Sequence, residues 1–189
     1  MITTGDLKRG IVVEMDGRLL QIVDWDHIKV GRGSAQVRLR FKDMRDGHVT
    51  EQTFQAGSKF TRVRTEQRKM QYSYAEGELL YFMDLETYEQ TPLDKGTVGE
   101  ALNYLAENAE VQVLYAGDEA IGVELPAAVS LRVTVSDPGI KGDTATGATK
   151  AATLESGHTT NVPLFIGPGD LIRVDTRSGD YLERAEAAS

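Results

Sequence analysis

The segment IVVEMDGRLLQIVDW, residues 11–25, is the clearest indication of the fold class of this chain. Its two apolar segments, Ile11–Glu14 and Leu19–Trp25, have the length and composition of β-strands. Between them lies Asp16-Gly17, a dipeptide that favours the tight turn of a β-hairpin. The segment therefore predicts two antiparallel strands joined by a short turn.

The same pattern continues outward from this hairpin over residues 1–64. Ala35–Phe41 alternates Val37, Leu39 and Phe41 with polar side chains, which indicates a half-buried strand with a basic outer face. A second turn follows at Asp46-Gly47, and another strand is expected at Val49–Phe54. Short strands with tight turns in about 60 residues favour a small SH3-like barrel.

Residues 65–127 predict a second small barrel of the OB type. The apolar residues Val98, Ala101, Leu102 and Leu105 have helical spacing, so we expect one short helix within Thr97–Glu110. Strands with one helix suit an OB barrel. The strands expected here are Gln71–Tyr74, Leu79–Asp84, Val111–Tyr115 and Ala120–Glu124.

Residues 128–189 predict a third barrel, again of the OB type. Leu131, Val133 and Val135 alternate with polar residues, and a glycine-rich loop follows at Asp137–Thr149. Further strands are expected at Ala151–Leu154, Thr160–Val162, Leu171–Asp175 and Tyr181–Leu182. The predicted fold is therefore all-β, with three small β-barrel domains: an N-terminal SH3-like barrel followed by two OB-fold barrels.

Composition narrows the function classes. The 189 residues include no cysteine, which excludes disulfides, thiolate metal sites and cysteine nucleophiles. No apolar run approaches the roughly 20 residues of a membrane helix, and the N-terminus does not resemble a signal peptide. We therefore expect a cytoplasmic protein with no membrane partner. Familiar catalytic motifs are also absent, so we expect neither an enzyme nor a bound cofactor or metal.

The charge is distributed unevenly along the chain. Residues 1–64 carry a net charge of +4, residues 65–126 carry −10, and residues 127–189 carry −2, with an overall charge of −8. The acidic middle is either a solvated surface that keeps the protein soluble or a region that repels phosphate while the basic end binds it. Either interpretation argues against a protein that coats nucleic acid non-specifically.

Two loops are candidates for contact with phosphate. In the first, Lys29–Ser34, two glycines flank Arg32 and allow a tight turn with the arginine at its exposed tip. The planar guanidinium suits phosphate and stacks on bases. The second loop, Gly139–Lys150, combines glycines, threonines and two lysines but does not match the GxxxxGK[ST] phosphate loop. By these residues alone, an ordinary hairpin connection is the favoured interpretation of each loop.

Longer motifs resemble one known family over essentially the whole chain. They are KAATLESG at residues 150–157 with NVPLFI at 161–166, IRVDTRSGDY at 172–181, FMDLETYEQ at 82–90, and GDTA at 142–145. All of these are similar to bacterial elongation factor P. The resemblance implies a KOW-type SH3-like first domain (1–64) and two OB domains (65–127 and 128–189), arranged in an L shape like that of tRNA.

The resemblance also implies a role in translation. Members of this family bind the 70S ribosome between the peptidyl and exit tRNA sites and promote peptide-bond formation at polyproline stalls. The expected partners are peptidyl-tRNA, ribosomal RNA and mRNA in the exit site, with the protein acting as a monomer. The loop that reaches the peptidyl-tRNA maps onto Lys29, Gly31, Arg32, Gly33 and Ser34. The loop at the exit-site codon and small subunit maps onto Gly142, Asp143, Thr144, Ala145 and Gly147.

Some positions depart from the family pattern. Arg32 replaces the lysine that many relatives modify, so Arg32 is either bare or rhamnosylated by a modifying enzyme, and its Gly31–Gly33 setting favours a bare tip. Val30, Thr146–Ala148 and Ala151 also differ from the common pattern and leave the loop geometry open. Two alternatives remain: a related factor with another stall preference, and a general KOW/OB RNA-binding module.

Overall fold

A computed structural model describes residues 1–28, 35–138 and 148–188, and these residues form three antiparallel β-sheets. The first sheet has the order β1-β6-β2-β3-β4-β5. Its strands are β1 (Ile2–Thr3), β2 (Val12–Met15), β3 (Arg18–Ile28), β4 (Gln36–Asp43), β5 (Val49–Gln55) and β6 (Lys59–Val63). The hairpin predicted around Asp16-Gly17 is confirmed, because Met15 pairs with Arg18 and Val12 with Gln21.

The second sheet has the order β11-β10-β7-β8-β9. Its strands are β7 (Glu66–Glu76), β8 (Leu79–Asp84), β9 (Gln90–Asp94), β10 (Glu110–Ala116) and β11 (Glu119–Glu124). The sequence did not predict β9, which contains Pro92. Because proline cannot donate a backbone hydrogen bond, it is tolerated in an edge strand, and β9 lies at the edge of this sheet.

The short helix predicted within Thr97–Glu110 is confirmed in part, because a helical segment is present but begins two residues earlier and is mostly of the 3₁₀ type. The α-helix α1 spans only Lys95–Val98, a 3₁₀ helix follows at Gly99–Tyr104, and β10 already begins at Glu110. Asp94 caps the start of α1, since its carboxylate accepts the N–H of Thr97 at 2.9 Å. Gly99 ends it with φ of +59°. The apolar spacing was real, but glycine in this conformation stops an α-helix after one turn.

The third sheet has the order β14-β13-β12-β15-β16. Its strands are β12 (Ala128–Ser136), β13 (Thr149–Leu154), β14 (Thr159–Pro163), β15 (Leu171–Asp175) and β16 (Tyr181–Glu186). Leu131 and Val133 are buried as their alternation predicts, but Val135 is 61% exposed. The pairing of β12 with β13 shifts register between Val133 and Val135, and this irregularity turns Val135 outward.

The chain divides into two compact units. One comprises Met1–Arg68, Leu93–Gly99 and Val113–Val123, and the other Lys69–Pro92, Glu100–Gln112 and Glu124–Ser189. The domain boundaries 1–64, 65–127 and 128–189 stay a prediction. No helix within the described ranges has the length and hydrophobicity needed to cross a bilayer.

A six-residue turn recurs in all three sheets, at residues 43–48, 84–89 and 175–180. In each, the N–H of the first residue, an aspartate, donates to the carbonyl of the sixth at 2.9 Å, and the N–H of the fifth donates back at 2.9 Å. The aspartate side chain also accepts the N–H of the third residue, at 2.7–2.9 Å. The carboxylate thus accepts a hydrogen bond from a backbone N–H of the turn that has no partner in a neighbouring strand.

The fifth residue of each turn has a left-handed backbone. Gly47 has φ of +71° and Gly179 of +79°, whereas the corresponding residue of the middle turn is Tyr88, with φ of +61°. A Cβ atom in this conformation costs about 1–2 kcal/mol, which glycine avoids. Glycine is favoured at position 179 for a second reason, the lack of space for a side chain. A Cβ atom there would lie 3.0 Å from Tyr104 Oη and 3.6 Å from His158 Nε2.

We expect Gly179→Ala to lower the free energy of unfolding more than Gly47→Ala. Both variants have the backbone strain of about 1–2 kcal/mol, but only the methyl group at position 179 would also press on the buried Tyr104. The methyl group at position 47 has no atom closer than Lys42 Cε at 3.8 Å. We expect an additional loss of about 1 kcal/mol at position 179. Urea denaturation followed by circular dichroism measures the difference, and equal losses would mean that Tyr104 moves aside freely.

A buried carboxylate fixes the end of the described chain. Asp170 is 5% exposed; its Oδ2 accepts the N–H of Gly167 at 2.9 Å and its Oδ1 accepts the N–H of Ala188 at 2.7 Å. These two bonds, with a smaller contribution from Arg184 at 3.9 Å, hold the pKa of Asp170 below its ordinary value of 3.8.

Asp170 predicts a pH-dependent contribution to stability. Because the folded pKa is lowered, the carboxylate stabilises the fold fully above the unfolded pKa of 3.8 and loses this effect as the pH falls through the folded value. We expect Asp170→Asn to be less stable than the wild type at neutral pH, with the gap closing in acid. Thermal unfolding of both proteins from about pH 7 to about pH 2 measures it. A gap independent of pH would contradict this role.

Candidate functional site: the hairpin that carries Arg32

The site residues of both predicted loops lie outside the described residues, but Thr149 and Lys150, predicted as part of the second loop, are described and belong to strand β13. The site residues are Lys29, Gly31, Arg32, Gly33 and Ser34 of the first loop and Gly142, Asp143, Thr144, Ala145 and Gly147 of the second. Their placement and roles stay predictions. The structure does describe the paired strands that flank each loop. The pairing, charges and packing of these strands follow.

The first loop connects two long, paired strands. β3 and β4 pair up to Ile28 and Gln36, the last described pair before the loop. We call residues 24–28 and 36–40 the stem. Within it, Asp24 lies opposite Arg40 and Asp26 opposite Arg38. The segment that contains Arg32 is therefore joined at both ends to a regularly paired β-hairpin.

The inner face of β4 anchors the stem in the core of the first barrel. Val37, Leu39 and Phe41 have no exposed surface, which confirms the alternation expected from the sequence. Phe41 packs edge-on against Phe54 and Phe60, with ring centroids 6.0 and 6.5 Å away. Such edge-to-face contacts add about 0.5–1.5 kcal/mol each beyond the burial of area. The base of the stem is therefore held by close-packed rings.

The outer face of the stem is basic, but its charges are balanced by neighbouring acids. Arg38 Nε lies 3.3 Å from Glu51 on β5. Asp24 on β3 accepts a hydrogen bond from Arg9 at 2.8 Å. This bond, with the N–H of Trp25 and the charge of Arg40, holds the pKa of Asp24 below its ordinary range. Both arginines of the described stem therefore lie opposite acids in the strand pairing.

Sequence reasoning predicted the basic face but missed the acids that face it. These acids lie on separate strands from the arginines, so only strand pairing brings them together. A signal was present in the sequence: Asp24 and Glu51 lie on the strands expected to flank Ala35–Phe41, and Asp26 directly follows the first of these strands. Opposite charges in directly opposed positions of antiparallel strands stabilise the pairing modestly.

The second loop extends from β12 and β13 of the third sheet. Ser136 pairs with Ala152, and the N–H of Asp137 donates to the carbonyl of Ala151 at 3.2 Å. Among the described residues, Lys150 of β13 pairs with β14 alone, where it lies opposite Val162. The glycine-rich loop therefore starts where β12 leaves the sheet.

Comparison with known proteins gives three matches along the chain. The model of the elongation factor P (EF-P) KOW-like domain matches residues 3–60, that of the elongation factor P (EF-P) OB domain matches 65–123, and that of the elongation factor P C-terminal domain matches 129–184. The chain belongs to the elongation factor P family. The all-β fold, with a KOW-like domain followed by OB architecture, is thereby confirmed.

Relatives in this family cover almost the entire chain. Elongation factor P of Moorella thermoacetica is 50% identical over 185 residues, covering 98% of this chain and 100% of the relative. Elongation factor P of a Thermoanaerobacter species is 49% identical over 184 residues, covering 97% and 100%. A solved structure of translation initiation factor 5A from Methanococcus jannaschii is 28% identical, with a TM-score of 0.48, and covers 66% of this chain and 90% of that one. The chain is a translation elongation factor of this family.

We expect Phe41→Ala to loosen the stem. Removing a fully buried ring that contacts Phe54 and Phe60 costs about 3–5 kcal/mol in the free energy of unfolding. The chain's single tryptophan, Trp25, lies in the stem and packs on this core, so its fluorescence during urea denaturation reports on the stem itself.

Arg38→Ala is the matched control for Phe41→Ala. It removes a half-exposed ion pair next to the same core, and such pairs contribute about 0–1 kcal/mol. The interpretation of the stem as anchored by aromatic packing would be wrong if the two variants lost similar stability.

Proposed function

We propose that this chain binds the ribosome between the peptidyl and exit tRNA sites and promotes peptide-bond formation at polyproline stalls. The observation that carries the proposal is membership of the elongation factor P family over nearly the full chain. In the proposed mechanism the Arg32 tip positions the acceptor end of the peptidyl-tRNA. The ribosome carries out the bond-forming chemistry, and the chain itself is not the catalyst.

The physical difficulty at such stalls is orientation. Proline has no N–H and a fixed φ, so consecutive prolines hold the peptidyl end of the tRNA in poor geometry. Restoring a reactive arrangement lowers the barrier without any acid, base or nucleophile from the factor. A rigid support suits this task, and the stem below Arg32 is paired up to Ile28 and Gln36 and anchored by buried Leu39 and Phe41.

Charge distribution supports the assignment of the tip. Arg38 is paired with Glu51 within the first barrel, and we assign Lys29 and Arg32 of the loop to the phosphates of the tRNA. Arginine adds a planar fork that binds phosphate in two places and stacks on bases. Arg32 also replaces the lysine that many relatives modify, and we propose that it acts bare, with rhamnosylation by a modifying enzyme as the alternative state.

The second loop completes the proposed placement. Gly142, Asp143, Thr144, Ala145 and Gly147 are assigned to the exit-site codon and the small subunit, with mRNA and ribosomal RNA as the contacted molecules. Their glycine and threonine content offers backbone N–H groups and hydroxyls to a nucleic-acid backbone. We expect one copy of the chain to act at a time, in a space the size of a tRNA.

The decisive experiment measures proline–proline bond formation on purified ribosomes with and without the protein. We expect the wild type to accelerate the reaction and Arg32→Ala to reduce the rate at saturating factor by about 10- to 100-fold, because a misplaced acceptor end reacts slowly. Arg38→Ala is the matched control, since its charge is already paired with Glu51. The intact mass of each protein shows whether Arg32 is modified.

Arg32→Lys separates charge from geometry. If it retains most of the activity, the reach and charge of the tip matter more than the guanidinium fork. Failure of both recombinant protein and protein from the native host to accelerate the reaction would overturn the proposal. Equal, salt-sensitive binding to arbitrary single-stranded RNA, without such acceleration, would favour the general RNA-binding alternative.

A further inference from the structure

The turn at residues 43–48 joins the first barrel to strands β10 and β11, within one compact unit. Met44, its second residue, is buried in a cluster with Val12 of β2, Leu114 of β10 and Ile121 of β11. This cluster is separate from the core of the first barrel, into which the buried face of β4 packs. The end of β4 farthest from the first site loop is therefore held against two strands of the second sheet.

Two glycines leave the space that this turn occupies. A Cβ atom at Gly122 of β11 would lie 2.6 Å from Met44 Cε, the closest such approach among the glycines of the described residues. A Cβ atom at Gly96 of α1 would lie 3.0 Å from Asp94 Oδ1 and 3.1 Å from the carbonyl oxygen of Arg45. We call Gly96 and Gly122 the notch. The turn approaches α1 and β11 more closely than a side chain at either position of the notch would permit.

Backbone conformation does not require glycine at either position of the notch. Ten described glycines have a positive φ, and neither Gly96 nor Gly122 is among them. Glycine weakens both a helix and a strand relative to alanine, because it loses more conformational freedom on folding. Gly96 nevertheless lies in α1 and Gly122 within β11. The close contact with the turn is the observation that accounts for glycine at both positions.

Strand β4 connects this contact to the Arg32 loop. It spans eight residues, Gln36–Asp43, so that the loop precedes its first residue and Met44 follows its last. A strand of this length extends about 26 Å. A tilt of about 5° at Met44 would therefore displace the far end of β4 by about 2 Å. Where a group orients two reactants, a misplacement of about 1 Å can lower the rate about 100-fold.

We propose that Met44, Gly96 and Gly122 are positioning residues for the Arg32 tip. The notch holds the turn and Met44, and Met44 fixes the angle of β4 and of the first barrel against β10 and β11. These residues act through β4 and do not contact the tRNA. The inference rests on the proposed polyproline function, and it predicts that the three residues determine the rate at saturating factor rather than the affinity for the ribosome.

Moving side-chain volume across the contact tests the proposal. Met44→Ala empties part of the cluster, Gly122→Val fills the same space from the facing strand, and the double variant restores the volume that each single variant changes. We expect each single variant to lower the rate of proline–proline bond formation at saturating factor about tenfold. The half-saturating concentration should change by less than about twofold. We expect the double variant to recover most of the rate.

Distances between two spin labels report the angle of the barrel without reference to activity. The chain has no cysteine, so labels attach only at introduced cysteines. One replaces Gln55, which is exposed and pairs with Gln36 at the loop end of the barrel, and the other replaces Glu119, which is exposed at the start of β11. We expect a narrow distance distribution in the wild type and the double variant, and a broader or shifted one in each single variant.

Met15→Ala is the matched control for Met44→Ala. It truncates the same side chain in the first barrel, but Met15 packs against the core of that barrel and not in the cluster of Met44. We expect this control to keep the rate at saturation and the distance distribution of the wild type. Urea denaturation shows that each variant is folded under the assay conditions, and the double variant tests the proposal even where a single variant is unstable.

The outcomes distinguish this inference from the proposed function. It is overturned if Met44→Ala leaves the distance distribution unchanged, or if the distribution broadens while the rate at saturation stays that of an active wild type. It is also overturned if the double variant behaves no better than the single variants. If the wild type does not accelerate the reaction, the polyproline role fails, and the distance distributions alone decide whether the notch fixes the Arg32 end of the barrel.

Discussion

Burial of one face of β4 is the constraint on which the candidate site depends. Val37, Leu39 and Phe41 have no exposed surface, and because side chains alternate along a strand, their burial directs Arg38 and Arg40 outward. A shift of one residue in the pairing of β3 with β4 would exchange the two faces and place arginines in the core. The same packing therefore stabilises the barrel, fixes the register of the stem and determines where the Arg32 loop begins.

Charge is organised at two levels. Within the first barrel, arginines and acids on neighbouring strands balance one another, as Arg38 and Glu51 do at 3.3 Å. Along the chain, the basic first third and the acidic middle remain unbalanced. Strand pairing balances the positive charge of the stem locally, whereas the separation along the chain leaves the first third basic and the middle third acidic.

Local patterns predicted most of the strands, and the errors have identifiable physical causes. Alternation succeeded wherever pairing was regular, as at Leu79–Asp84 and Leu171–Asp175, whose bounds match β8 and β15. It failed at Val135, where a register shift between β12 and β13 turns the side chain outward, and no local sequence pattern indicates this shift. The predicted helix differs from the observed one in its start and type, because apolar periodicity does not indicate the backbone angles of Gly99, which ends α1.

Residue type and short-range order along the chain were enough to establish the all-β class, the turn positions, the charge separation and, through long motifs, the family. The tertiary structure, in contrast, was needed to show which charges form ion pairs. It was also needed to show which residues have a strained backbone and which side chains are exposed. Glu51 balances Arg38, at 3.3 Å, only because strand pairing places β5 beside β4. Tyr88 is conspicuous only because its turn repeats, bond for bond, two turns that use glycine. Both properties depend on contacts between residues far apart or on backbone angles, which residue identity alone does not specify.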